Sequence, residues 1–264
     1  ARLASRGSSG ALVERDMPGG TCLNRGCIPT KCLCATAAKL LTLRKAAAMG
    51  VAVDGTARVD YPAALGRMHG VVDELRAGVE SLLRGVELVR GEARFLPDGS
   101  VEAAGRVLSA DKILIATGSR PALLPVEGAE YAVTSDDILE RDVPLPARLT
   151  LIGAGVIGIE FASIFSAMGV DVTVVEYCKE ILPTFDADVA KRLRMALQGR
   201  GVSFVLGASV QRIGADRTVH YAGKKGPAAV AGDMVLMAVG RRPVVPEGVR
   251  DAGIELTDRG FVAG

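Results

Sequence analysis

Leu151 to Glu160 reads LIGAGVIGIE, a Gly-x-Gly-x-x-Gly run that follows an apolar stretch and opens a helical one. Few local patterns restrict a fold so tightly. Gly153 makes a tight turn, Gly155 lets another group approach the backbone, and Gly158 lets a helix pack against a strand. The spacing predicts a β-turn-α unit. The strand runs from Arg148 to Ile152, the helix from Gly155 to Met168, and the next strand from Asp171 to Glu176. A helix over Asp186–Gly199, a strand over Val202–Val205, a β patch over Ser209–Val230 and a strand over Asp233–Val239 extend the alternation.

Residues 151–170 are also apolar enough to suggest a membrane span. Glycines at 153, 155, 158 and 169 and a charge at Glu160 argue against it. The glycine turn instead places a helix N-terminus against a pyrophosphate. Glu176 ends the next strand, 18 positions after Gly158, where a carboxylate accepts ribose hydroxyls and repels a 2′-phosphate. This favours NAD(H) over NADP(H). A helix that merely needs small residues is the plainer alternative.

The first half has a related plan. Ala11–Glu14 reads as a short strand ending in an acid, and Arg2–Gly7 as the tail of a preceding helix. Helices are expected over Cys27 to about Ala48 and Ala63 to about Leu83. Short strands are expected around Glu87–Val89, Ala93–Phe95 and Val107–Leu108, with a turn at Pro97-Asp98-Gly99. Lys112–Ala116 reads as a buried strand and Pro121–Pro125 as a linker. KILIATGSRP (112–121) and MVLMAVGRRP (234–243) both close an apolar strand on glycine. Their recurrence marks an internal repeat of two nucleotide-binding units.

Five cysteines occur, at 22, 27, 32, 34 and 178. Cys22 and Cys27 lie in GGTCLNRGCIPTK. Zinc would need four ligands, and no second pair stands at a matching distance; no metal site is expected. A structural disulfide is unusual in a reducing compartment. A redox-active pair fits best: Asn24 and Gly26 allow a tight loop, and Lys31, one helical turn past Cys27, favours a thiolate, as does the helix N-terminus. Cys32, Cys34 and Cys178 read as buried or incidental thiols. His69 and His220 read as surface or packing residues.

GGTCLNRGCIPTK resembles the redox signature of the class I pyridine nucleotide–disulfide oxidoreductases, in wording nearest to the dihydrolipoyl dehydrogenases. ATGSRP (116–121), GAGVIGIE (153–160), VTVVE (172–176) and AVGRRP (238–243) match in order, so the resemblance covers essentially the whole chain. It implies an α/β fold of two Rossmann-like domains with three-layer ββα architecture, one for FAD and one for NAD, the FAD domain incomplete. Residues 1–124 would form the FAD domain and 125–244 the NAD domain, with 245–264 returning towards the first.

The resemblance also implies roles. Cys22 would exchange with the substrate sulfur, and Cys27 would be the thiolate beside the flavin. Lys31 would stand near the flavin N5 and pair with Glu160. Glu14, Gly20 and Thr21 would touch FAD, with Ala93, Thr117, Gly118 and Ser119. Gly153, Gly155, Gly158 and Glu176 would hold NAD, and Val210, Ala238, Gly240 and Arg241 would line its site. A first strand with its own Gly-x-Gly-x-x-Gly is expected before Ala1. A Gly-Asp strand and an interface domain with a His–Glu acid/base pair are expected after Gly264.

The implied activity is oxidation of dihydrolipoyl groups by the disulfide, then FAD, then NAD⁺. The partner would be a lipoyl-bearing protein or a small dithiol, and the full-length parent a homodimer. A related NAD(P)H-dependent disulfide or mercuric reductase is the alternative, as is a non-catalytic NAD-binding fragment. A net charge of +2 suggests neither nucleic acid nor anionic membrane as partner. Residues 1–16 lack an apolar h-region, so a cytoplasmic location is expected, or the mitochondrial matrix in a eukaryote.

Overall fold

The computed structural model of the chain describes residues 6–7 and 9–263. Residues 2–5 of the expected helix tail lie outside them. In chain order the elements are β1 (Ala11–Glu14), α1 (Gly20–Arg25), α2 (Cys27–Lys45), α3 (Tyr61–Leu82), β2 (Glu87–Arg90), β3 (Ala93–Phe95), β4 (Val101–Ala103), β5 (Arg106–Leu108) and β6 (Ser119–Pro121). There follow α4 (Ser135–Glu140), β7 (Arg148–Ile152), α5 (Val156–Met168), β8 (Asp171–Glu176), α6 (Ala187–Gln198), β9 (Ser203–Leu206), β10 (Ser209–Ile213), β11 (Thr218–Gly223), β12 (Gly226–Ala231), β13 (Met234–Met237) and β14 (Arg241–Pro243). The chain packs as two compact units. One holds the residues up to Asn24, Val72–Arg120 and the chain from Arg242; the other holds Arg25–Val71 and Pro121–Arg241.

The second unit is built on an all-parallel sheet in the order β13-β7-β8-β9. Its strands are near-continuous apolar runs, as a sheet buried on both faces requires. α5 packs on β7 and β8, and α2 packs on α5. That explains why α5 is apolar almost all round: Phe161, Ile164 and Phe165 are fully buried. Leu33 and Leu40 of α2, and Tyr61, Leu65 and Met68 of α3, join the same core. Burial there pushes the Tyr61 phenol up to about 12. A meander β10-β11-β12 completes this unit. No helix among the described residues is long and apolar enough to cross a membrane.

In the first unit β1 and β2 pair in parallel and β3-β4-β5 form an antiparallel meander. Phe95, Val101 and Val249 make a small core. Here the structure departs from expectation. Lys112–Ala116 forms no strand, and among the described residues no strand pairs with it. Leu114 is 89% exposed. An apolar run becomes a buried strand only where a neighbouring strand takes up its N–H and C=O groups and another layer covers its side chains.

Smaller differences have local causes. α3 begins at Tyr61, before the expected Ala63, because the Asp60 carboxylate accepts the Ala63 N–H at 3.0 Å. Pro62 then falls in the first turn, where its missing N–H is not needed. α2 stops at Lys45 and a 3₁₀ turn follows at Ala47–Met49, closed by Gly50 at φ +77°. Part of the expected linker, Pro121, belongs to β6, which pairs with β14.

Candidate functional site

Cys22 and Cys27 are joined in a disulfide, while Cys32, Cys34 and Cys178 are free. The bridging segment is not the loop expected. It is two helices in succession, α1 ending at Arg25 and α2 starting at Cys27, with Gly26 as the N-cap between them. The Thr30 N–H donates to the Gly26 carbonyl at 3.1 Å, closing the first turn of α2 and placing Cys27 at a helix N-terminus.

Asn24 lies between the cysteines and is 7% exposed. Its amide nitrogen donates to the carbonyls of Met17 at 3.2 Å, Pro18 at 3.2 Å and Gly20 at 3.0 Å. Its amide oxygen accepts the Arg76 Nε–H at 3.0 Å. In turn Arg76 Nη1 stands 2.7 Å from the Asp73 carboxylate. Sequence spacing carries no signal for this contact, because Arg76 is 52 positions from Asn24.

Lys31, one turn past Cys27, lies 3.9 Å from Glu160 on α5. Their side chains are 71% and 39% exposed, so the pair adds little to stability. Cys34 follows on the same face of α2, at the i+7 position from Cys27. Burial pushes its thiol pKa up, the Glu160 charge adds to the rise, and Lys31 pulls it back.

The glycine loop sits at the carboxyl ends of the parallel strands. Ile152 lies opposite Met237 on one side and Val175 on the other. Gly153 has φ +99°, and a Cβ there would stand 2.6 Å from the Ala238 carbonyl. A Cβ on Gly158 would collide with the Gly153 carbonyl. Gly155 differs, since a Cβ there would meet nothing within 4 Å. Two glycines are therefore required by the protein's own packing, and the third faces open space beside the first turn of α5. The N–H groups of that turn have no intrahelical partner.

Glu176 ends β8 and is 7% exposed. One carboxylate oxygen accepts the Ala154 N–H at 2.5 Å and the other the Cys178 N–H at 2.7 Å. Cys178 is raised by burial, then by its hydrogen bond to Glu176 and that residue's charge. Leu182, at φ +48°, donates its N–H to the Ala154 carbonyl at 2.9 Å. The loop is thus pinned from two sides, with open space beside Gly155.

The other expected NAD-site residues gather in the same unit. The Ala238 N–H donates to the Ile152 carbonyl at 2.8 Å, and Gly240 has φ +117°. Arg241 Nη1 lies 3.1 Å from Asp136 on α4. Val210 is the second residue of β10, where the register with β11 shifts between Val210 and Arg212. α4 was missed by sequence reasoning, although its signal was present: Thr134 and Asp137 form a reciprocal capping box.

Of the expected FAD residues, Glu14, Gly20, Thr21, Ala93, Thr117, Gly118 and Ser119 belong to the first unit, and Lys31 to the other. Glu14 closes β1 and accepts the Asp16 N–H at 3.0 Å. Gly20 opens α1 at φ +66°, and a Cβ on Gly118 would stand 3.9 Å from the Thr21 hydroxyl. The Thr117 hydroxyl donates to the Val244 carbonyl at 2.5 Å, Ser119 opens β6, and Ala93 opens β3, opposite Ala103. His69 is half-buried, with its Nε2 buried and unpartnered among the described residues. Among those residues no group of three or more His, Cys, Asp or Glu side chains is arranged to hold a metal ion.

A family model described as pyridine nucleotide-disulphide oxidoreductase matches residues 1–263. The dihydrolipoyl dehydrogenase of Acholeplasma laidlawii is 34% identical over 263 residues, covering 97% of this chain and 77% of that protein. The dihydrolipoyl dehydrogenase of Haloferax volcanii is 38% identical over 280 residues, covering 99% of this chain and 58% of that protein. Among solved structures, the HOCl-induced flavoprotein disulfide reductase RclA from Escherichia coli superposes with a TM-score of 0.84 at 31% identity, covering 99% of this chain and 58% of RclA. The chain thus spans a little over half the length of several of the proteins it matches. With the Cys22–Cys27 disulfide and the glycine loop in place, the chain belongs to the pyridine nucleotide-disulphide oxidoreductase family.

Proposed function

We propose that this chain is the disulfide-bearing and dinucleotide-binding part of a flavoprotein that oxidises dihydrolipoyl groups. The observation that carries the reading is the Cys22–Cys27 disulfide at the head of α2, with Lys31 and Glu160 paired one turn further on. Residues 1–124 would serve FAD and 125–244 NAD, with 245–264 returning to the first domain.

In this reading a substrate thiolate attacks the Cys22 sulfur. The S–S bond breaks, Cys27 leaves as thiolate, and a mixed disulfide joins substrate to Cys22. The second substrate thiol then attacks that mixed disulfide, releasing a cyclic disulfide and leaving Cys22 reduced. Two electrons and two protons leave the substrate. A flavin, when bound, would supply the two-electron redox chemistry that links this dithiol to a nicotinamide. Cys27 leaves at the N-terminus of α2, with Lys31 one turn further on, a setting that favours negative charge on sulfur. Lys31 supplies a cation for negative charge developing nearby, and Glu160 orients it. Glu14, Gly20, Thr21, Ala93, Thr117, Gly118 and Ser119 would hold FAD. Gly153, Gly155, Gly158, Glu176, Val210, Ala238, Gly240 and Arg241 would hold NAD.

A reductase running electrons towards a disulfide is the second reading, favoured by the likeness to RclA. One experiment separates them. The chain is incubated with dihydrolipoamide, its thiols are trapped and mapped by mass, and binding of NAD⁺ and NADP⁺ is compared by calorimetry. New thiols at Cys22 and Cys27, with NAD⁺ bound at least tenfold more tightly than NADP⁺, are expected. Preference for NADP⁺ with an inert disulfide would overturn the dehydrogenase reading. A lipoyl-bearing protein as partner, a homodimeric parent and a cytoplasmic or mitochondrial-matrix location complete the proposal.

A further inference from the structure

The chemistry proposed above uses Cys22, Cys27, Lys31 and Glu160, and leaves Arg76 on α3 without a task. Arg76 lies far along the chain, yet its Nε–H closes on Asn24, the buried residue between the two cysteines. The orientation of the Asn24 amide is dictated by its neighbours. Its nitrogen faces three carbonyls and its oxygen faces a guanidinium, so a flipped amide would oppose acceptor to acceptor and donor to donor. The carbonyls of Met17 and Pro18 belong to the segment that leads into α1, and that of Gly20 to the first residue of α1, two positions before Cys22. One side chain thus gathers the approach to the first cysteine, and Arg76 holds that side chain from behind. Asp73, one turn earlier on α3, fixes the guanidinium at 2.7 Å.

We infer that Arg76 is a positioning residue for the redox disulfide, acting through Asn24. The inference rests on the reading of Cys22–Cys27 as a working disulfide and adds a determinant of its poise. A disulfide is favoured when its two thiols are held close, because preorganisation lowers the entropy lost on closure. When the Asp73–Arg76–Asn24 chain is broken, the turn before Cys22 loosens, the thiols spend less time within bonding distance, and the dithiol gains. Charge alone does not achieve this, since the contact is a directed Nε–H bond to an amide oxygen. A lysine keeps the charge but offers a rotating ammonium in place of a fixed planar donor.

The test measures the equilibrium constant of the Cys22–Cys27 pair in dithiothreitol redox buffers, by trapping thiols and counting them by mass. It needs neither flavin nor NAD, so it is independent of whether the chain turns over. Arg76→Ala is expected to favour the dithiol about tenfold, equivalent to about 30 mV for this two-electron couple. Arg76→Lys is expected to recover part of that shift, and Asp73→Ala to give a smaller one. Melting curves accompany each variant, and if Arg76→Ala does not fold, Arg76→Gln and Arg76→Lys decide. Equilibrium constants within twofold of wild type in folded Arg76→Gln and Arg76→Lys would overturn the inference. An inert disulfide towards dihydrolipoamide, with the Arg76 shift still present, would overturn the functional reading and leave the positioning role standing.

Discussion

At the scale of single residues, the informative side chains are those whose chemistry depends on a neighbour. Cys34 is one. Its thiol is pushed up by burial and by Glu160, and pulled down by Lys31. Removing the Glu160 charge therefore lowers its pKa, and more thiolate is present at a given pH. Glu160→Gln is expected to speed alkylation of Cys34 by iodoacetamide at pH 8 by about two- to threefold, while Lys31→Gln slows it. Peptide mapping with the Cys22–Cys27 disulfide intact reads this directly, and an unchanged rate in both variants would mean the pair does not face Cys34. The Cys22–Cys27 pair was legible in its motif, and the Lys31–Glu160 pair followed from the family resemblance rather than from any spacing. Arg76 was not: no local pattern links position 76 to position 24, and only the packed fold brings the guanidinium to the amide.

At the scale of elements, the glycine loop separates binding from folding. Gly158 is needed because a Cβ would strike the Gly153 carbonyl, whereas a Cβ on Gly155 would enter open space. Gly155 has φ −72°, which any residue can adopt. Gly155→Ala is expected to melt within about 2 °C of wild type yet bind NAD⁺ at least tenfold more weakly. Gly158→Ala is expected to lose about 2–4 kcal/mol of stability. Thermal melts and calorimetry on the pair check this, and equal destabilisation by both would remove the reason for reading the space at Gly155 as a ligand site. The parallel sheet was legible because its strands are unbroken apolar runs bounded by glycine and charge. The same reasoning failed at Lys112–Ala116, where composition was right but a partner strand and a covering layer were not among the described residues. The α1–Gly26–α2 junction was read as a loop because six helical residues are too few to show a period.

At the scale of the whole molecule, ion pairs set the response to acid. The Glu180 carboxylate accepts from Arg194 Nε at 2.7 Å and Nη2 at 2.9 Å, joining the segment after β8 to α6. The hydrogen bond from Arg194 holds Glu180 below the usual carboxylate range, although partial burial opposes it. A depressed folded-state value means the contribution is complete above the ordinary glutamate value of about 4.3 and is lost as pH falls through the lower, folded one. Glu180→Gln is therefore expected to be less stable than wild type by about 1 kcal/mol above the ordinary glutamate range, the gap closing as pH falls below the folded-state value. Melting temperatures followed into acid test it, and a gap that never closes would show the loss to be steric. The packing of α2 on α5 has a consequence on the same scale. One helix begins with Cys27 and carries Lys31; the other begins at the glycine loop and carries Glu160. Their shared core, with Leu33 on one side and Phe161 and Phe165 on the other, works as a gauge block. Its thickness sets how far the thiol stands from the glycine loop, and a change in its side-chain volume alters that clearance without touching either chemistry.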